Sequence, residues 1–346
     1  MTDAIPTPSP VPLPPVSAGV RSVARGLSLF SGGLDSILAI CVLRGQGCRV
    51  EAIAFDSPFF NLSSAHASAH ALGIPLHVVD FTADITELVE HPPHGFGKAM
   101  NPCIDCHARM IRRAGERVRE WKWDFVATGE VLNQRPMSQN RRALDQVARD
   151  SGCADLLIRP LSAKLLDATP PEMDGRVDRS RLLAIAGRSR AEQISLAEHY
   201  GIHDYPSSAG GCLLTEPMFC RKLQDLKTHE GMRDVRDLRW LRLGRHFRLP
   251  DGARCIVGRN AAENHRLQQE AQAVDLVLRP LGVPGPTVVV PGGGVTDADR
   301  ERALTLCAGY CDATDGAVRL RLITDGGTRE ATVIPLPREA ARAWML

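Results

Sequence analysis

The most informative stretch of this sequence reads Gly26-Leu-Ser-Leu-Phe30, then Ser31-Gly-Gly-Leu-Asp-Ser36, then Ile37-Leu-Ala-Ile-Cys-Val-Leu43. The first segment is short and apolar and predicts a β-strand, whereas the last predicts a helix. The two glycines between them let the backbone turn tightly and approach a ligand closely. Because a helix N-terminus presents unpaired N–H groups and a positive dipole end, the middle segment predicts an anion-binding loop.

The side chains of this loop indicate a phosphate ligand with a metal ion. Ser31 and Ser36 add hydroxyl donors to the backbone donors of Gly32 and Gly33. Asp35 fits a Mg²⁺ ion that bridges phosphates, because such ions are held by one or two carboxylates. The lysine of the Walker loop is absent, which excludes an ordinary P-loop NTPase. The alternative is a plain turn between a strand and a helix, capped by serine.

Strands alternate with helices along the first two thirds of the chain. We predict strands at residues 49–55, 76–81, 125–128 and 156–158, with helices at 65–72, 106–121 and 192–200. This alternation predicts parallel βαβ units, and so a doubly wound α/β sheet. Strands near 255–257, 287–290 and 318–324 predict a smaller C-terminal α+β domain. The expected divisions are a flexible proline-rich tail (1–22), an α/β domain (23–230) and the α+β domain (231–346).

The composition excludes several classes of protein. The chain has 346 residues, of which 44% are hydrophobic and 24% charged, so full-length disorder, collagen and coiled coil are excluded. It contains no apolar run of about 18 residues, so we expect no membrane helix. The N-terminus lacks the basic start and apolar region of a signal peptide, which predicts a cytoplasmic protein with reduced cysteines. The net charge is only +2, with 37 Arg against 5 Lys.

The loop Ser31-Gly-Gly-Leu-Asp-Ser36 resembles the SGGxDS loop of the PP-loop ATP pyrophosphatases. The resemblance implies an adenine nucleotide alpha hydrolase (HUP-like) fold in which ATP is cleaved between its α and β phosphates. The substrate becomes adenylated, and a nucleophile then displaces AMP. The segment Ala127-Thr-Gly-Glu-Val-Leu-Asn-Gln-Arg-Pro-Met-Ser-Gln139 is similar to the TGE segment of tRNA 4-thiouridine synthases, and Ile158-Arg-Pro-Leu161 to their later "RPL" element. This similarity implies that Thr128, Gly129 and Glu130 lie near the nucleotide.

Two cysteines stand together in Asn101-Pro-Cys-Ile-Asp-Cys-His107, before the predicted helix. The dipole of that helix is expected to lower the pKa of both thiols. The string matches the attachment signature of c-type haem, which we reject because no export signal is present. A structural zinc site is an alternative, but it needs four ligands and no second CxxC exists.

The segment around Cys212 resembles the late cysteine loop of tRNA thiolases. A CxxC with one distant cysteine resembles their iron–sulfur subgroup. There, three thiolates bind a 4Fe–4S cluster and leave one iron open, where most clusters have four cysteine ligands. This resemblance implies Cys103, Cys106 and Cys212 as cluster ligands, with Cys220 as the alternative to Cys212. The competing chemistry uses a cysteine persulfide that a second cysteine resolves as a disulfide. We interpret the remaining cysteines, including the pair Cys307 and Cys311, as buried apolar residues.

Arginine recurs at every third position from 233 to 248, interleaved with Trp240, His246 and Phe247. Phosphate contacts by arginine and base stacking by aromatic rings are what RNA requires. The alternative is a solvated face balanced by nearby aspartates. The segments Leu243-Gly-Arg-His-Phe247 and Val257-Gly-Arg-Asn-Ala-Ala-Glu-Asn264 also resemble the RNA-binding module of NFACT proteins. The predicted RNA contacts are Arg239, Arg242, Arg245, Arg248 and Arg259.

Together, these resemblances imply ATP-dependent thiolation of a tRNA uridine. The expected cofactors are ATP, Mg²⁺ and a 4Fe–4S cluster. The expected partners are tRNA and a sulfur donor such as sulfide, a cysteine desulfurase or a carrier. The alternatives are an amide-forming PP-loop ligase, an RNA-binding protein with a non-catalytic ATP site, and thiolation of a metabolite or a carrier protein. The residues do not indicate whether C2 or C4 of the uridine is modified, or the oligomeric state.

Overall fold

The computed structural model describes residues 23–206, 211–292, 295–312 and 316–346. The chain forms two compact units that divide between Thr215 and Glu216. The predicted proline-rich tail, residues 1–22, lies outside the described residues.

The first unit is built on a parallel sheet of five strands. The strands are β1 (Arg25–Leu29), β2 (Arg49–Asp56), β3 (Leu76–Asp80), β4 (Phe125–Ala127) and β5 (Leu157–Ile158). The helices are α1 (Leu34–Arg44), α2 (Ser63–Leu72), α3 (Thr82–Glu90), α4 (Cys103–Glu120), α5 (Arg141–Ser151), α6 (Pro170–Met173) and α7 (Ala191–His199). The strand order is β3-β2-β1-β4-β5, and every neighbouring pair is parallel. The predicted doubly wound fold is therefore confirmed.

Burial explains why these segments become strands. Six consecutive residues of β2, Val50 to Phe55, are buried, as expected when helices cover both faces of a parallel sheet.

The order of strands reverses between β1 and β4, because β2 and β3 follow on one side of β1 and β4 pairs on the other. Ligands of open α/β sheets bind at the carboxyl ends of the strands at such a switch point. The loops after β1 and β4 therefore occupy the expected binding position.

Two helices differ from the sequence prediction. Helix α4 begins at Cys103 rather than near residue 106, so both cysteines of the CxxC lie in its first turn. Helix α3 was not predicted, although its buried residues Ile85, Leu88 and Val89 have helical spacing. Its aspartate, Asp84, is buried and accepts bonds from Arg109 and Arg113 of α4. These ion pairs fix α4 against α3.

The second unit is an antiparallel sheet with helices on both faces. Its strands are β6 (Arg245–Arg248), β7 (Arg254–Val257), β8 (Leu276–Leu281), β9 (Val288–Val290), β10 (Val318–Thr324) and β11 (Gly327–Val333). Its helices are α8 (Pro217–His229), α9 (Val235–Trp240), α10 (Ala261–Glu270), α11 (Asp297–Gly309) and α12 (Arg338–Ala341). The strand order is β11-β10-β8-β9-β7-β6. The predicted α+β character of this region is confirmed.

The two faces of this second sheet carry separate cores. Helix α11 packs against one face, where Cys307 and Cys311 are buried among apolar residues. Trp240 and Leu267, from α9 and α10, pack on the other face against Ile256 of β7. The cysteine pair is thus a core feature here.

Helix α8 accounts for the position of the division between the units. The boundary predicted from the sequence falls after residue 230, whereas α8 makes hydrogen bonds and an ion pair within the second unit. Lys222 donates to the carbonyl oxygens of Leu241 and Gly244, at 3.3 and 3.4 Å. Asp225 of the same helix accepts an ion pair from Arg248.

None of the helices in the described residues combines the length and apolar content that crossing a membrane requires.

Candidate functional site

The glycine loop, residues 31–36, joins the carboxyl end of β1 to the first turn of α1. Gly32 has a φ of +75°, and a Cβ atom there would lie 2.2 Å from the backbone oxygen of Ser64. The left-handed backbone and the close approach of α2 therefore both require glycine. Gly33 precedes α1 without any side-chain cap. The N–H groups of the first helical turn thus remain available to an anion.

The hydroxyls of the two loop serines make hydrogen bonds within the loop. Ser36 Oγ donates to the Gly33 oxygen at 2.8 Å, and Ser31 Oγ accepts from the Gly33 N–H at 3.3 Å. The two hydroxyl oxygens are 3.5 Å apart. Ser68 of α2 donates to the Gly32 oxygen at 3.0 Å. This hydrogen bond attaches the loop to helix α2.

The loop that follows β4 packs directly on the first turn of α1. A Cβ atom on Gly129 would lie 2.7 Å from the Asp35 carbonyl carbon and the Ser36 nitrogen, so only glycine permits this contact. Gln134 donates from Nε2 to Asp35 Oδ2 at 3.1 Å. The structure thus brings the glycine loop and the TGE segment together, as expected for loops at a switch point.

Asp35 fits the metal ion that the family resemblance implies. Its Oδ1 atom is buried and has no hydrogen-bond partner among the described residues. Buried polar atoms without partners are rare, and a bound ion is one of their ordinary explanations. Magnesium in nucleotide sites takes one or two carboxylates and completes its shell with water and phosphate oxygens. Asp35 alone therefore satisfies what the protein must supply.

Glu130 lies in a buried charge network. Its Oε2 accepts from Arg159 Nε at 2.8 Å and from Thr128 Oγ1 at 3.1 Å, and its Oε1 pairs with His107 Nδ1 at 2.9 Å. Burial raises the pKa of Glu130, but the charge of Arg159 and the bond from His107 outweigh it and hold that pKa well below its usual range. Both oxygens are engaged, so Glu130 positions the loop after β4 rather than facing a nucleotide.

The structure brings the three candidate cysteines into one neighbourhood. Cys103 and Cys106 occupy the first turn of α4, and Cys103 Sγ accepts from Asn101 Nδ2 at 3.1 Å. The backbone of Cys212 forms an isolated antiparallel β-bridge with Phe60, which lies in the loop after β2. The Leu213 N–H donates to the Phe59 oxygen at 3.1 Å. Part of the preceding loop, residues 207–210, lies outside the described residues.

The expectation of a lowered thiol pKa is wrong for Cys106. Burial raises its pKa well above the ordinary value, and the neighbouring Cys212, Cys103 and Asp105 raise it further. Cys106 is only 8% exposed, and such burial disfavours the charged thiolate. The same electrostatic influence indicates that Cys212 and Cys103 both lie near Cys106.

These thiols do not, as placed, fit a bound metal cluster. Throughout the ranges that the structure describes, no three His, Cys, Asp or Glu side chains stand together as metal ligands. We therefore derive no chemical step through a cluster. Cys220, the alternative ligand, is buried in α8 of the second unit.

Two histidines complete the site and were missed by the sequence reasoning. His107 was considered only as part of a haem signature, yet it bonds Glu130. His94 binds Asp105 twice, through its N–H at 3.1 Å and through Nδ1 at 2.6 Å. Asp105 lies inside the CxxC, so this contact fastens the loop before α4 to the cysteine turn. Spacing alone gave no signal for either pairing.

The predicted RNA-binding arginines of the second unit have unequal surroundings. Arg248 pairs with Asp225 and Glu230 and is only 14% exposed. Arg259 is exposed but pairs with Glu263, and Arg245 lies over the ring of Tyr310 at 5.2 Å. Arg242 is half-buried, whereas Arg239 is exposed with no ion pair in the described part of the chain.

Known families match each unit separately. Residues 21–164 match the family described as thiamine biosynthesis protein (ThiI), and residues 244–345 match the NFACT protein RNA binding domain. Among solved structures, a 4-thiouridine synthetase–RNA complex with bound ATP aligns at 18% identity and a TM-score of 0.38, covering 62% of this chain and 52% of that one.

Curated relatives include tRNA-specific 2-thiouridylases MnmA. The protein of Marinobacter nauticus is 28% identical over 213 residues, which cover 55% of this chain and 50% of that protein. The protein of Symbiobacterium thermophilum is 25% identical over 235 residues, covering 60% and 57%. The chain thus spans about half the length of the curated relatives it matches. The predicted resemblance to PP-loop tRNA thiolases, with an NFACT-like C-terminal region, is confirmed.

We predict that Arg159→Met destabilises the first unit by about 3–5 kcal/mol, because it leaves the Glu130 carboxylate buried without its main partner. The free energy of unfolding in urea measures the loss. Arg141→Met is the matched control. It removes an arginine from exposed pairs with Asp145 and Asp167 and should cost less than about 1 kcal/mol. Equal losses in the two variants would contradict the structural role of the network.

The same network predicts a direction for pH dependence. The pKa of Glu130 is lower in the folded chain than in the unfolded one, so its contribution is present above the unfolded value, about 4.3. That contribution is lost as the pH falls below this value. Urea titrations between pH 6 and pH 3 should show a steeper decline for the native chain than for the Glu130→Gln variant, which has no carboxylate to protonate.

Proposed function

We propose that this protein thiolates a uridine of tRNA, using ATP to activate the base. The observation that carries the proposal is the convergence of two sites in the first unit. One is a loop built for phosphate and Mg²⁺ at residues 31–36, and the other is a group of cysteines around Cys106. The matched relatives named as tRNA 2-thiouridylases support it. An enzyme that exchanges a carbonyl oxygen for sulfur needs both parts.

The glycine loop performs the first step. The N–H groups after Gly33 and the hydroxyls of Ser31 and Ser36 bind the pyrophosphate of ATP, while Asp35 binds Mg²⁺. The uridine carbonyl oxygen attacks the α-phosphate, the bond to the β-phosphate breaks, and pyrophosphate leaves. Preorganised donors lower the barrier, because they already point at the charge that develops on the phosphate oxygens. The product is a uridine adenylate.

The cysteines perform the second step. Cys103 and Cys212 are partly exposed, whereas Cys106 is buried. We assign Cys212 as the thiol that accepts sulfur from the donor and Cys106 as the thiol that acts later. Its persulfide attacks the activated carbon, and AMP leaves with the former carbonyl oxygen. The Cys106 thiol then loses its proton and attacks Cys212 Sγ, which breaks the bond between Sγ and the transferred sulfur, releases thiouridine and leaves a Cys106–Cys212 disulfide. An external dithiol reductant supplies the two electrons that restore the thiols.

A second candidate for the sulfur step is the three-cysteine 4Fe–4S cluster. The observation that favours it is Cys103, which the persulfide route does not use. Three thiolate ligands for such a cluster are present in one neighbourhood, although not in a metal-holding arrangement. The two routes share the same ATP chemistry.

The second unit is proposed to dock the tRNA. Its match to an RNA-binding family supports this assignment. The target base must leave its stack to reach an enclosed site, as in other enzymes that modify a base. For the persulfide route the sulfur donor is proposed to be the persulfide of a cysteine desulfurase or of a carrier, because free sulfide would need an oxidant and suits only the cluster route. The proposed compartment is the cytoplasm.

We predict that Asp35→Asn lowers the rate of tRNA-dependent pyrophosphate release by about 100-fold or more, because the metal loses its anionic ligand. Release of pyrophosphate and AMP from ATP, with bulk tRNA present, measures the effect. Asp145→Asn, an exposed aspartate on α5, is the control and should leave the rate unchanged. Wild-type protein that releases no pyrophosphate with tRNA would favour a non-catalytic ATP site. Release with ammonia, without thiolated RNA, would favour an amide-forming ligase.

The cysteine variants separate the two sulfur routes. With protein purified anaerobically, we expect Cys106→Ser and Cys212→Ser to abolish thiouridine formation, and Cys103→Ser to retain it. Mass spectrometry of nucleosides from the RNA, together with iron and acid-labile sulfide assays, gives the readout. If the protein contains about four irons, and all three variants lose both iron and activity, the cluster route replaces the persulfide route. The adenylation step should survive in all three variants.

A further inference from the structure

One face of the second sheet carries three exposed arginines on adjacent strands. They are Arg279 of β8 and Arg319 and Arg321 of β10. Arg321 stands directly opposite Arg279 in the antiparallel register, and Arg319 lies two residues along the same strand. Side chains at alternate positions of a strand share one face, so all three guanidinium groups project from the same side. We call these residues the arginine face.

In the part of the chain that the structure describes, these guanidinium groups have no ion-pair partner. The side chains of the three arginines make no ion pair or hydrogen bond in the ranges the structure describes. The facing carboxylate is that of Glu330 on β11, which stands opposite Arg321 in register but makes no ion pair. Like charges directly opposite one another destabilise a sheet. An external anion would relieve the repulsion between Arg279 and Arg321.

The spacing of the arginine face suits a chain of phosphates. Arg319 and Arg321 are about 7 Å apart along the strand, because each residue advances about 3.4 Å. Arg279 lies about 5 Å to one side, across the strand pair. A cluster this narrow engages consecutive groups of one anionic chain rather than scattered charges. Guanidinium groups are also the side chains best shaped for phosphate oxygens.

An open groove adjoins the arginine face. It has a volume of about 380 Å³ and lies between α10 and the segment after β8. Arg279 stands at one wall, and the exposed His265 and Gln268 of α10 stand at the other. The guanidinium of Arg319 reaches toward the end of β8, 4.0 Å from where a Cβ atom of Gly282 would lie. Imidazole and amide groups beside phosphate-binding arginines are suited to the sugar and base of a nucleotide.

This surface differs from the arginine run that the sequence singled out. Of the predicted RNA-binding arginines, Arg248, Arg245 and Arg259 already contact partners inside the unit. An arginine held by two carboxylates cannot also neutralise a phosphate without breaking those pairs. Among the described residues Arg239 of that run is also exposed without an ion pair, but the arginine face groups three such side chains on adjacent strands.

We infer that Arg279, Arg319 and Arg321, with the groove beside α10, form the surface of the second unit that binds the sugar–phosphate backbone of RNA. This inference rests on the proposed function for the identity of the RNA as tRNA. It makes the binding independent of base sequence, because guanidinium groups on phosphates carry no sequence information.

The test uses the full-length protein and fluorescently labelled bulk tRNA, with affinity measured by anisotropy from 50 to 300 mM KCl. Arg319→Gln/Arg321→Gln should weaken binding at least tenfold at 150 mM KCl and reduce the slope of log Kd against log salt by about 2, since each phosphate contact contributes about 1. The Lys double variant at the same positions should keep most of the slope. Arg300→Gln/Arg342→Gln is the control, because it removes two exposed arginines outside the arginine face.

The outcomes separate this inference from the proposed function. If the Gln variant binds tRNA as the wild type does, the arginine face is not the RNA surface, even when thiolation by the wild type is observed. If the variant loses binding but the wild type forms no thiouridine, the surface stands and the proposed function fails. Wild-type protein that binds vesicles of phosphatidylserine and phosphatidylcholine through the same residues, without binding tRNA, would overturn the inference in favour of a membrane.

Discussion

The site depends on one buried carboxylate. Glu130 is almost fully buried and joins three parts of the first unit: the loop after β4, the cysteine helix α4 through His107, and the segment after β5 through Arg159. A buried charge costs a large free energy unless it is paired and hydrogen-bonded. Removing any one partner of Glu130 would therefore destabilise the folded unit. The loop that it holds presses Gly129 onto the turn of Asp35 and Ser36. One electrostatic network therefore connects the phosphate loop to the cysteines.

Burial also decides the chemistry of the cysteine turn. A helix N-terminus stabilises a nearby anion by about 0.3–1 kcal/mol at an exposed position, less than one pKa unit, which is 1.36 kcal/mol. Enclosure of Cys106 acts in the opposite direction and is stronger. Burial limits the access of oxidants to Cys106, whereas Cys212 is more exposed. Two thiols of unequal exposure thus suit a route in which one receives sulfur and the other acts later.

The sequence predicts the local features of this protein well and its long-range pairs poorly. The strand, the glycine loop and the following helix are encoded within about twenty consecutive residues, so their pattern is sufficient. The partners of Glu130 lie 23 and 29 residues away, and no spacing rule connects them. The start of α4 at Cys103 was missed for a related reason. The helix is fixed by ion pairs from Asp84, in a neighbouring helix that the prediction also omitted.

The arginines also show that spacing along the sequence does not identify which charges are paired in the folded chain. The run from 233 to 248 has a regular spacing, yet the chain passes from α9 through a turn into β6, so its members face different directions. Arg236 pairs with the buried Asp275 and covers Trp240, and Arg254 is buried beside Glu230 and Asp237. These guanidinium groups are engaged in contacts that stabilise the second unit. With a net charge of only +2, attraction to a polyanion cannot come from the chain as a whole and must come from local excess. Such an excess exists where charges lack internal partners, which only the three-dimensional pairing reveals.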